Sequence, residues 1–211
     1  MSLLIVTVWE AGNVYITYYN KQIMQKIIKA LLAEIGDNVN RNGLKETPER
    51  VARMYKEFFY GYDKSKKPKI TVFKNERSSN DQVVIDKGYF YSFCEHHMIP
   101  FFGDYCFAYV PDKKIIGLSK ISRVVDYCAS KLQLQEKLTT EIADELERAL
   151  KPRGLAIIVS ARHLCKEMRG VRKNRVEMIT SDFRGIFNNS KKKRELLDLI
   201  TATNKHDRNI E

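Results

Sequence analysis

SKISRVVDYCASKLQLQEKLTTEIADELERAL, residues 119–150, decides the fold, because Ser119–Leu132 and Leu134–Leu150 both carry helical periodicity and follow one another directly. Upstream, Val83–Phe93 and Tyr105–Val110 read as strands; downstream, Leu155–Ala161 and Arg175–Ser181 return to strand character. The order strand, strand, helix, helix, strand, strand, with its consecutive hairpins, predicts an antiparallel four-stranded sheet with both helices on one face. That is an α+β layout.

Working outward, residues 60–80 carry Gly61, Pro68, many lysines and Ser78-Ser79-Asn80, and read as a connection with one short strand at Ile70–Phe73. Two helices precede it. In Lys21–Ile35 the apolar positions 23, 24, 27, 28, 31, 32 and 35 follow helical spacing, and Gly36 stands at the expected stop. Thr47-Pro48-Glu49 reads as an N-cap followed by proline at the first helical position, and Val51, Met54, Tyr55 and Phe58 continue the apolar face. A last helix is expected near Lys193–Thr201, followed by a polar tail over 202–211. The organisation expected is therefore an unassigned extension (1–19), a helical region and connection (20–80), a strand-and-helix domain (81–201) and the tail.

The length of 211 residues suits one domain of ordinary size, and 44% hydrophobic with 30% charged residues is globular composition. The formal charge of +11 favours anionic partners, although runs such as Lys191–Arg194 are ordinarily just solvated. Four cysteines, at 94, 106, 128 and 165, do not make the framework of a small secreted scaffold, and two lie beside histidines, which favours reduced thiols and a metal. The apolar opening Met1–Val8 is short, lacks a basic start and runs into Glu10, and no stretch approaches a membrane span. A cytoplasmic location and no membrane partner are expected.

Three of the four histidines fall in two short segments, Cys94-Glu95-His96-His97 and His163-Leu164-Cys165. Thiolate plus imidazole is a zinc ligand set, and two Cys with one His leave a tetrahedral ion one open position, as catalytic sites do. Taken singly, each of these residues is more often an ordinary buried thiol or surface histidine; their clustering argues otherwise. Gly117-Leu118-Ser119-Lys120, with Arg123 a turn later, offers a serine N-cap and two cations of the kind a phosphate group uses, as against a plain capped helix. In Gln133-Leu134-Gln135-Glu136, a carboxylate at a helix start can accept two parallel bonds from a guanine edge, although most Gln-Glu pairs are merely exposed. Arg169-Gly170-Val171 adds a fork-shaped cation four residues past Cys165.

Together these segments resemble the motif series of the GTP cyclohydrolase I family: CEHHMIPF at 94–101, GLSKISR at 117–123, QLQEKLT at 133–139, HLCKEMRGV at 163–171 and, ahead of them, GLKETPERVARM at 43–54. The resemblance covers roughly residues 21–200, in matching order and spacing. It implies zinc (Zn2+) held by Cys94, His97 and Cys165, with His96 and His163 transferring protons around the scissile ring. It implies triphosphate binding by Ser119, Lys120, Arg123 and Arg169, guanine binding by Gln135 and Glu136, and help from Arg50 and Arg53 of a neighbouring subunit. The implied fold is the tunnelling fold, assembled as a homodecamer. The implied reaction opens the imidazole ring of GTP, releases formate and yields 7,8-dihydroneopterin triphosphate, the first step toward pterins and folates.

The chain departs from the family pattern at Cys106, where histidine is frequent, at Lys166 after the second metal cysteine, at Arg53 in place of lysine and at Lys131 in place of arginine; none is a named zinc ligand or the guanine carboxylate. Other enzymes of the same fold are poorer fits, since a pterin synthase needs three metal histidines and a nitrile reductase lacks the Cys-Glu-His-His motif. A basic nucleic-acid module with a structural zinc would need a fourth protein ligand, so no nucleic-acid partner is expected. An inactive relative kept as a scaffold is left open by the sequence.

Overall fold

The computed structural model describes residues 20–76 and 82–202 in full and the backbone of 7–10, 13–16 and 203–207. Most of the unassigned amino terminus, the Ser78-Ser79-Asn80 stretch and residues 208–211 lie outside the described residues. The chain forms two compact units, Met1–Phe59 and Tyr60–Glu211.

In the first unit, strands β1 (Thr7–Glu10) and β2 (Asn13–Ile16) pair antiparallel, with Thr7 opposite Ile16. Helix α1 (Lys21–Glu34) starts at Asn20, whose side-chain oxygen accepts from the amides of Gln22 and Ile23 at 3.0 and 3.2 Å, satisfying two otherwise orphaned donors. Helix α2 (Thr47–Phe58) carries Pro48 in its first turn as expected, but Glu46 holds the cap position and Thr47 lies just inside the helix. The two helices pack together, with Lys21 Nζ 2.6 Å from the Glu49 carboxylate.

The second unit is built on a five-stranded sheet. In chain order its elements are β3 (Val72–Lys74), β4 (Val84–Cys94), β5 (Pro100–Val110), β6 (Lys114–Ile116), α3 (Ser119–Ala129), β7 (Leu132–Gln133), α4 (Gln135–Leu150), β8 (Gly154–His163), α5 (Leu164–Glu167), β9 (Glu177–Gly185) and α6 (Ser190–Asp207). The sheet order is β7-β4-β5-β8-β9. The four long strands pair antiparallel, as the hairpin reading requires, while β7 adds a two-residue parallel rung beside Phe93 and Cys94. Strands β3 and β6 form a separate small ribbon.

Alternation along the strands sets the core. Phe101, Tyr105, Phe107 and Tyr109 of β5 and Leu155, Ile157 and Val159 of β8 face Ile121, Val124 and Val125 of α3 and Leu138, Ile142 and Leu146 of α4. The intervening residues Ala108, Val110 and Ala156 face the other way and meet Phe187, Leu196 and Ile200. A third helix, α6, therefore covers part of the second face, and it runs to Asp207, past the end expected at Thr201. No helix among the described residues is long and apolar enough to cross a membrane.

Gly103, in mid-β5, has no room for a side chain: a Cβ there would run into the backbone of Ser160 and Ala161 on β8. Backbone cannot yield as a flexible side chain does. Gly103→Ala is therefore expected to cost about 3 kcal/mol, the upper end of overpacking penalties. The denaturant midpoint should fall with the slope of the transition unchanged.

Candidate active site

Three strand ends converge at one end of the sheet. Phe93 of β4 lies opposite Pro100 of β5, and Phe101 of β5 lies opposite His163, the last residue of β8. The turn from β4 to β5 is closed by backbone hydrogen bonds, the Met98 N–H donating to the Cys94 carbonyl (2.8 Å) and the Cys94 N–H to the Ile99 carbonyl (3.0 Å), with Met98 in the left-handed region at φ 55°. This folds His97 back over Cys94. Their Sγ and Nδ1 atoms stand 3.7 Å apart. The short helix α5 delivers Cys165 to the same place.

Cys94, His97 and Cys165 are the metal-capable group among the described residues, their donor atoms all within 4.8 Å of one another. The donor set fits zinc: two sulfurs and one imidazole nitrogen at about the separations that bonds of ~2.0–2.3 Å to a single ion allow. Burial pushes the Cys165 thiol above its ordinary range, and the adjacent Cys94 sulfur pushes it further. Two thiols so placed ionise together only if a cation lies between them. Arg169, exposed on the loop after α5, donates from Nη1 to His97 Nε2 at 2.7 Å.

His163 is half-buried and stacked on Phe101, ring centroids 4.6 Å apart and planes 2° from parallel. Burial is the main cause lowering its pKa, partly opposed by the Glu136 carboxylate. Its Nε2 lies 2.8 Å from Gln135 Oε1. His96 is exposed and stands edge-on to His97, centroids 6.1 Å apart.

The remaining expected residues are distributed as follows. Glu136 is exposed at the start of α4, whereas Gln135 is buried, so the two do not share one surface as the sequence suggested. Ser119 is not the N-cap of α3: Leu118 occupies that position, no side chain caps the helix, and Ser119 is its first residue. Lys120 and Arg123 lie on the first turns of α3, neither with an acidic partner among the described residues. Arg50 and Arg53 belong to α2 in the first unit, where Arg50 pairs with Glu46 at 2.6 Å.

Sequence reasoning missed three supporting residues. Phe101 stacks on His163. Thr180 of β9 bonds both Gln135 and Thr139. Tyr105 Oη, 3.0 Å from both Asp86 and Ser122, ties α3 to the sheet. Only Phe101, directly after Pro100 in the first motif, carried a usable signal, its inward parity on the strand.

Residues 24–201 match the family model described as GTP cyclohydrolase I. GTP cyclohydrolase 1 of Bartonella bacilliformis is 49% identical over 165 residues, which cover 78% of this chain and 80% of that protein. The same enzyme from Thermoanaerobacter pseudethanolicus is 42% identical over 186 residues, 87% of this chain and 98% of the relative; that of Streptococcus pyogenes is 45% identical over 186 residues, 86% and 94%. With the family model covering most of α1, all of α2 and the whole five-stranded sheet, and with nearly complete relatives aligned along it, the chain belongs to the GTP cyclohydrolase I family.

Proposed function

We infer that the chain is a zinc-dependent GTP cyclohydrolase I, opening the guanine imidazole ring of GTP to give 7,8-dihydroneopterin triphosphate and formate. The observation that carries this reading is the meeting of Cys94, His97 and Cys165 at the ends of β4 and β8, beside a histidine stacked on Phe101. Three protein donors rather than four suit a catalytic ion better than a structural one. Zinc held there would supply Lewis-acid activation of a water at neutral pH, at the ring carbon between the two nitrogens.

The chain's own residues supply the rest. His163, whose pKa burial lowers, can take up a proton and return it to a ring nitrogen; exposed His96 can exchange protons with solvent. Arg169 beside the metal group and, separately, Lys120 and Arg123 with the Ser119 hydroxyl on the first turns of α3 supply cations and a donor of the kind that hold a triphosphate. Glu136 is free to accept from the guanine N1–H and exocyclic amine. Retaining the triphosphate through ring opening and reclosure keeps the product tethered while the sugar carbons rearrange.

A homodecamer with Arg50 and Arg53 reaching a neighbouring site completes the proposal. Supporting it, the sheet face away from α3 and α4 leaves Tyr89, Tyr91 and Ile179 at 47%, 69% and 67% exposure, apolar side chains that a neighbouring copy would cover.

Selectivity tests the substrate. Glu136→Gln presents a donor where guanine needs an acceptor, and it should weaken GTP binding by about 1–3 kcal/mol. Titration calorimetry with GTP measures this; parental affinity in the variant would remove Glu136 from the guanine site.

A further inference from the structure

Gln135 is buried at the first turn of α4, with its side chain enclosed by protein. The two hydrogens of its amide nitrogen are shared among the Val159 carbonyl at 3.1 Å, the Met178 carbonyl at 2.8 Å and Thr180 Oγ1 at 3.1 Å. The two carbonyls belong to the paired strands β8 and β9, so the amide spans both. Thr139 Oγ1 donates to the Gln135 carbonyl at 2.8 Å and lies 2.6 Å from Thr180 Oγ1, tying the backbone of Gln135 to the same anchor.

This arrangement fixes which way the side-chain amide points. Turned over, it would set Oε1 against two carbonyl oxygens with no proton between them. Oε1 therefore faces His163 Nε2, at 2.8 Å, and a carbonyl oxygen can only accept there. The hydrogen of a neutral His163 ring consequently sits on Nε2, and the lone pair is left on Nδ1. Phe101 restrains the ring plane from its face.

We propose that Gln135 is a positioning residue that holds His163 in the tautomer with Nδ1 as its proton-transfer atom, and that it does not read the guanine base. The proposal rests on the reading of His163 as a proton-moving residue. It leaves base recognition to Glu136, its exposed neighbour. An orienting partner of this kind acts on turnover rather than binding, because it touches the histidine and not the substrate.

A double-mutant cycle on the zinc-loaded full-length enzyme tests this, using Gln135→Met, His163→Ala and the two combined. Gln135→Met should lower kcat by about 10–100-fold, by analogy with the loss of an outer hydrogen-bond partner of a metal-ligating histidine, with KM for GTP within about twofold of the parent. In the His163→Ala background the second change should bring no further loss of kcat and no change in GTP affinity, measured directly because turnover is slow there. Weakened GTP binding, a loss that persists without His163, or parental kcat in Gln135→Met would each overturn the proposal. Parental kcat in His163→Ala alone would instead remove the role of His163, and the proposal with it. If Gln135→Met fails to assemble, the anchor decides: Thr180→Val should lower kcat with KM held, and Thr180→Ser, which returns the hydroxyl, should regain it. Equal kcat in Thr180→Val and the parent would overturn the proposal in the same way.

Discussion

Cys94→Ser, His97→Ala and Cys165→Ser are each expected to empty the metal site and abolish formate release together. The three donors come from two separated stretches, the β4–β5 turn and α5, so each contributes a bond that nothing nearby replaces. A tetrahedral zinc left with two protein ligands dissociates readily, since binding rests on the complete donor set. Metal content by plasma emission should fall from about one ion per chain to near zero in all three variants. Serine replaces the sulfur with minimal change in volume, so the fold should survive, and unchanged circular dichroism would separate ligand loss from unfolding. Zinc retained at full occupancy in any one of them would exclude that residue from the ligand set.

His163→Ala is expected to reduce kcat by about 10²–10⁴-fold, the usual contribution of a residue that transfers protons in the transition state. Binding should be spared, because the ring is packed between Phe101 and Gln135 rather than paired with a cation or carboxylate that would hold a substrate. KM near the parental value with a collapsed kcat is the signature. A variant with parental turnover would shift the proton transfer to His96.

The ββααββ order was readable because the strands and helices differ in period and length, and amphipathic helices as long as α3 and α4 leave little ambiguity. The metal-capable group was readable because thiols and imidazoles rarely cluster without cause. Less was visible where tertiary placement decides the role. Gln135 and Glu136 are adjacent in sequence, yet successive residues of a helix point about 100° apart, so one enters the β8–β9 interior and the other meets solvent. The N-cap of α3 fell one residue from Ser119, within the ordinary uncertainty of a helix end. β7 could not be foreseen, as two residues carry no periodicity, and α6 continues past the apolar pattern from which its end was read.

The most direct test of the account counts zinc and formate on the same purified, full-length protein supplied with GTP. The account predicts about one zinc per chain, one formate released per GTP consumed, a triphosphorylated pterin as the other product, and loss of formate release on chelation that zinc restores. Zinc-replete, folded protein that consumes no GTP, or that consumes it without releasing formate, would contradict it.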